Sequence, residues 1–198
     1  MSVDFIYQKL NCLTDEKCDK ITELFEQLKQ YHRPGGTTNG VDTTHKKSTD
    51  MCLNVKGCKP FENEKFRLSM EDLLINLCEG LKEYKEKYTI NGVGIDSVAK
   101  WALCDNFNIQ RYLPREGYYT WHTENSGISN SNRILAWMIY LNDVTDAGGT
   151  EFLFQNLTVP AQKGKLVIWP ADWTHYHRGE VSTTQTKYII TGWFEYVL

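Results

Sequence analysis

The sequence has no Cys-x-x-Cys pair among its six cysteines (Cys12, Cys18, Cys52, Cys58, Cys78 and Cys104), which excludes the short-spaced thiol sets of structural zinc sites and redox dithiols. A chain of 198 residues can build a core without disulfides, so the cysteines are read as free thiols in a reducing compartment. No run approaches the ~18 consecutive apolar residues of a membrane helix. The N-terminal MSVDFIYQKL has neither the basic start nor the apolar run of a signal peptide. A cytoplasmic protein that engages no membrane is therefore expected. Positive charge is not concentrated: 22 Lys and Arg stand against 25 Asp and Glu, with no basic run beyond Lys46-Lys47, so no nucleic-acid surface is evident.

What is present is the mix of a folded domain, 41% apolar and 24% charged. In the first half, Cys18, Ile21, Leu24, Phe25 and Leu28 recur at spacings of three and four after Thr14, with Asp15 and Glu16 in the first turn. This spacing predicts an amphipathic helix that ends before Pro34-Gly35-Gly36. A second, longer helix is expected from the same period at Phe66, Met70, Leu73, Leu74, Leu77, Leu81, Tyr84 and Tyr88. Residues 35–50 between them are rich in Gly, Thr and Asp and almost free of large apolar side chains. They read as a mobile loop that contributes no core element, and as a lid over a site.

From residue 101 the pattern changes to short β-branched and aromatic segments separated by turn residues. Strands are expected at 102–113, 118–124, 133–141, 150–155, 157–161, 165–169, 174–178 and 187–197. The chain is thus expected to be a single α+β domain, 1–198. Residues 1–100 would form helical support, and 101–198 a double-stranded β-helix, or jelly roll, of about eight strands. The tryptophans of these strands could form a platform for sugars, but aromatics this dense in strands are expected to be core.

Three of the five histidines fall in two of these segments, His122 in Trp121-His122-Thr123-Glu124 and His175 and His177 in Thr174-His175-Tyr176-His177. In a strand, i and i+2 project from one face, so His122 and Glu124 offer an imidazole and a carboxylate to one point. A histidine from a later strand would complete a two-His-one-carboxylate set with open positions, the arrangement of non-haem Fe(II) oxygen chemistry. Strand parity places His175 and His177 on the same face and does not choose between them.

Residues from about 103 to the C-terminus resemble the Fe(II)/2-oxoglutarate-dependent dioxygenases, in the prolyl 4-hydroxylase-like branch that includes phage versions. The residues that carry the resemblance are Tyr112, ten before His122; His122-Thr123-Glu124; Gly148-Gly149-Thr150-Glu151-Phe152; Lys163-Gly164; His177-Arg178-Gly179; Lys187, ten after His177; and Trp193, six further on. Two departures are visible. Glu124 stands where the family usually has Asp, and the GGTEF segment is one residue shorter than the usual form.

The resemblance implies Fe(II) held by His122, Glu124 and His177, the last chosen because the family's ligand precedes its lysine by ten residues. It implies 2-oxoglutarate as cosubstrate, its distal carboxylate on Lys187 with Tyr112 adding a hydroxyl. Thr191 and Trp193 share strand parity with Lys187, and Thr191 is assigned to the same pocket; Arg178, of opposite parity to His177, is left out. Dioxygen would be consumed, succinate and CO2 released and a substrate hydroxylated, a peptidyl proline or another protein residue, with ascorbate as reductant of stray Fe(III). The alternative is a non-catalytic jelly-roll binding module with a structural metal or none.

Overall fold

The computed structural model describes residues 3–37, 40–57 and 59–198. Cys58 and the 38–39 part of the expected loop lie outside the described residues. Thr14 caps the first helix, α1 (Asp15–Gln27), by accepting a hydrogen bond from the Lys17 amide, and its apolar stripe of Cys18, Ile21, Leu24 and Phe25 is buried. Asn63 does the same for α2 (Glu64–Lys87), which buries Phe66, Met70, Leu73, Leu77 and Tyr84. Among the described residues neither helix is long and apolar enough to cross a membrane.

The strands are β1 (Tyr7–Lys9), β2 (Arg33–Pro34), β3 (Thr49–Asn54), β4 (Trp101–Tyr112), β5 (Arg133–Tyr140), β6 (Thr150–Phe152), β7 (Leu157–Val159), β8 (Leu166–Pro170), β9 (His177–Gly179) and β10 (Lys187–Tyr196). They form a seven-stranded sheet in the order β1-β8-β5-β10-β4-β3-β2 and a three-stranded sheet in the order β7-β6-β9. Every pairing is antiparallel. This is a jelly-roll architecture with helices laid on one face of the large sheet.

β5 shows why its sequence hardly alternates. Leu135, Trp137 and Ile139 enter the core shared with α1 and α2, whereas Ala136, Met138 and Tyr140 enter a second core with Phe152, Val159 and Trp169. A strand covered on both sides is apolar at every position. Gly192, at the middle of β10, is required by this packing. A Cβ there would lie 2.6 Å from Trp137 Cζ2 and 2.9 Å from Phe107 Cβ, both side chains being buried. Gly192→Ala is expected to destabilise the fold by about 1 to 3 kcal/mol, read as a lower urea midpoint at unchanged m-value.

Three expectations are corrected. The first half is not purely helical: β1 pairs with β8, and β2 and β3 extend the sheet beyond β4. Residues 35–50 are not a loop throughout, because Thr49 and Asp50 begin β3 and Lys46, Ser48 and Asp50 are buried. Their polarity is satisfied internally: Lys46 Nζ is 2.8 Å from Asp50 Oδ2, and the Ser48 hydroxyl donates to Asp50 Oδ1 at 2.7 Å. Finally, 118–124 and 174–178 are not regular strands. The backbone of 118–124 is pinned to three different elements, by Tyr119 N to His45 O, by His122 to His177 in both directions and by Glu124 N to Ala171 O, so no continuous ladder forms. In 174–178, Asp172 accepts from the Thr174 amide and caps a 3-10 turn, Trp173–His175, so the strand begins only at His177.

Candidate metal centre and cosubstrate pocket

Although 118–124 is not a strand, the bridge from His122 to β9 and the anchor of Glu124 on Ala171 bring both side chains to the end of β9. Donor atoms of His122, Glu124 and His177 all lie within 4.8 Å of one another. Glu124 Oε1 is 3.3 Å from His177 Nε2 and 3.8 Å from His122 Nε2. Metal–ligand bonds of about 2.1 Å place neighbouring ligands of an octahedral ion about 3 Å apart, so these separations close on an ion with little movement.

The hydrogen bonds of the imidazoles fit that use. His122 Nδ1 donates to Thr120 O at 3.0 Å and His177 Nδ1 to His175 O at 2.9 Å, which leaves each Nε2 with its lone pair toward the cluster. Burial, together with the neighbouring His177, pushes the His122 pKa down to about 3, so this ring is neutral at physiological pH. Burial acts to raise the Glu124 pKa, but the two imidazoles and the Arg133 guanidinium outweigh it and hold the carboxyl well below the usual range. Two imidazoles and one carboxylate are a donor set suited to Fe(II).

His175 lies elsewhere. It is on the 3-10 turn, and its Nε2 donates to Asp4 O at 2.8 Å while Nδ1 faces the Thr174 hydroxyl at 2.8 Å. Parity therefore failed to separate the two histidines because the turn breaks the strand between them.

The cluster opens into a cavity of about 750 Å3. Lys187, Ile189, Thr191 and Trp193 line it from alternate positions of β10, joined by Tyr112 from β4. Lys187 is buried, with its ammonium donating to Gly148 O at 3.0 Å and lying 5.1 Å from the centre of the Tyr112 ring. Among the described residues no carboxylate forms an ion pair with it. Burial lowers its pKa from 10.5 to about 8, with Glu180 opposing. A buried cation without an anion is costly, and a dicarboxylate would relieve that cost. The Tyr112 hydroxyl donates to Gln110 Oε1 at 2.7 Å, and the Thr191 hydroxyl to Trp137 O at 2.9 Å. Arg178, left out on parity, also lines the cavity, where it is paired with Glu151 at 2.6 Å and stacked on Trp121.

Sequence reasoning missed the wall made by Lys46, Asp50 and Gln110, where Gln110 Nε2 is 3.4 Å from Asp50 Oδ2. It also missed Tyr118, whose ring stacks on His122 at 3.5 Å with planes 5° apart. The only sequence signal for the wall was the alternation of Asp50 and Cys52 against Met51 and Leu53 in β3.

The chain matches known proteins at this same region. Residues 107–195, a little under half of the 198, match the model of the 2OG-Fe(II) oxygenase superfamily. No curated protein sequence is a significant match. Among solved structures, a viral collagen prolyl hydroxylase from Paramecium bursaria Chlorella virus-1 in complex with 2OG is similar at a TM-score of 0.67 and 15% identity, over 98% of this chain and 97% of that one. A Pseudomonas putida prolyl-4-hydroxylase is similar at 0.65 and 16%, over 98% and 94%. A prolyl hydroxylase from Trichoplax adhaerens, in complex with a hypoxia inducible factor peptide fragment, reaches 0.74 at 13%, over 98% and 84%. At such identities the structural likeness shows the fold. The matched segment thus resembles the 2OG-Fe(II) oxygenase superfamily, and the fold of the whole chain is that of the prolyl hydroxylases.

Proposed function

We propose that the chain, acting as one domain over 1–198, hydroxylates a residue of a protein or peptide, with prolyl as the first candidate. His122 Nε2, Glu124 Oε1 and His177 Nε2 hold Fe(II), and Lys187 and Tyr112, with Thr191 beside them, receive 2-oxoglutarate. The observation that carries this reading is the shared cavity, in which two imidazoles, a carboxylate and a buried lysine with no ion-pair partner among the described residues face one space. When bound, the iron and cosubstrate supply the oxidising power: dioxygen and 2-oxoglutarate are consumed, succinate and CO2 are released, and one oxygen atom enters the substrate. The residues of this chain bind and orient these partners and exclude water. A protein substrate is supported by the cavity being larger than 2-oxoglutarate alone requires, with the 40–46 segment along one wall as a lid. The five described cysteines are free thiols, which supports a cytoplasmic setting, where ascorbate would serve as reductant.

The experiment is calorimetry with Mn(II), then incubation of the Fe(II) form with 2-oxoglutarate, air and proline-containing peptides. One metal site per chain is expected, bound more tightly when 2-oxoglutarate is present because the two complete one coordination sphere. Peptide products heavier by 16 Da are expected by mass spectrometry, as one oxygen atom enters. Metal affinity indifferent to 2-oxoglutarate would contradict the shared site. Products confined to small molecules would contradict the peptide substrate.

A further inference from the structure

The two oxygens of Glu124 face different surroundings. Oε1 points at the imidazoles. Oε2 accepts a hydrogen bond from Trp193 Nε1 at 2.8 Å and lies 3.6 Å from Arg133 Nη1. The same Arg133 nitrogen donates to the Glu124 carbonyl at 3.2 Å, and the guanidinium carbon stands 3.6 Å from the centre of a Trp193 ring. Glu124, Trp193 and Arg133 thus close a triangle in which each member touches the other two.

The backbone is irregular where this triangle is built. The register of β10 against β4 shifts between Gly192 and Phe194, so Trp193 occupies the bulge. The register of β10 against β5 shifts again between Phe194 and Glu195, the latter pairing with Arg133. Bulges re-aim side chains, and here the indole N–H is directed at a carboxylate. A glutamate has one more rotatable bond than an aspartate, so a metal-facing oxygen at its tip is fixed only if something holds the other one.

We propose that Trp193 is a positioning residue for Glu124: its indole N–H, backed by Arg133, holds Oε2 so that Oε1 is presented to the metal. This rests on Glu124 being a ligand. Aspartate at 124 would withdraw the carboxylate by on the order of 1.5 Å, one carbon–carbon bond, and break the hydrogen bond to the indole.

The test is Mn(II) calorimetry on the full chain without substrate, in a double-mutant cycle. Glu124→Ala is expected to remove the site; unchanged affinity there would overturn the ligand assignment itself, separately from the role of Trp193. Trp193→Phe keeps an aromatic ring over Arg133 and removes only the donor. It is expected to weaken Mn(II) about tenfold, the lower end of what losing a partner of a metal ligand costs. In the Glu124→Asp background the same change is expected to alter affinity less than twofold, because the shorter carboxylate does not reach the indole. Equal losses in both backgrounds, or none in either, would overturn the proposal. Should Glu124→Asp bind no metal, the metal-free indole N–H resonance of Trp193 decides. It is expected to be protected from exchange in the wild type and to shift and lose protection in Glu124→Asp; an unchanged resonance would overturn the proposal.

Discussion

Replacing His177 by alanine is expected to abolish Fe(II)-dependent turnover of 2-oxoglutarate, while His175→Ala retains measurable turnover. His177 presents Nε2 to Glu124 at 3.3 Å with its other nitrogen already engaged, so the variant loses one of three converging donors. The loss in metal affinity should exceed about a hundredfold, more than the removal of a ligand's hydrogen-bond partner costs. His175 is also buried, but both its nitrogens are occupied away from the cluster. His175→Ala leaves the Asp4 carbonyl without its donor and should cost about 1 to 3 kcal/mol of stability, with the metal site intact. Circular dichroism establishes that both variants are folded, and succinate formation separates them. The reverse pattern of activities would assign the ligand to His175.

Lys187→Ala is expected to raise the 2-oxoglutarate concentration needed for half-saturation by one to two decades. A charge-assisted hydrogen bond is worth about 1.5 to 3 kcal/mol, and the variant removes the cation while leaving the three metal donors in place. The depressed pKa adds a pH signature. With the cation set by burial to lose its proton near pH 8, binding of a dianion requires that proton to be regained at higher pH. Affinity for 2-oxoglutarate should therefore be flat below about pH 8 and fall roughly tenfold per unit above it, with proton uptake on binding, until the raised pKa of the complex is passed. The same titration of Lys187→Ala should show no such slope. An unchanged requirement for 2-oxoglutarate in the variant would mean that another cation holds the distal carboxylate.

The helices were legible because burial there follows a single period, and the long strands because their β-branched and aromatic runs are bounded by turn residues. α1 and α2 begin at capped residues and bury one stripe, and β4, β5, β8 and β10 stand where short β-branched and aromatic runs predicted strands. Lys187, Thr191 and Trp193 line one cavity because alternation along β10 survives its bulge on that side. β3 was hidden because its polar start, Thr49-Asp50, is satisfied by Lys46 and Ser48 and not by solvent, an arrangement that composition does not reveal. β1 and β2 are three and two residues long, too short for a period to register. The grouping of His122 with Glu124 was inferred from a strand that does not exist. The two meet because one residue bridges to β9 and the other is held by Ala171, contacts that connect distant parts of the chain. Asp172, two residues before Thr174, was the available sign that a turn separates His175 from His177.

The central claim is that this chain couples 2-oxoglutarate breakdown to an iron held by His122, Glu124 and His177. The most direct measurement is the succinate formed by purified chain supplied with Fe(II), 2-oxoglutarate and air, beside the same assay with iron withheld and with His122→Ala. The account predicts repeated turnover in the first case and none in the other two. Iron-loaded, folded wild-type chain that forms no succinate, or a His122→Ala chain that forms it at the wild-type rate, would contradict it.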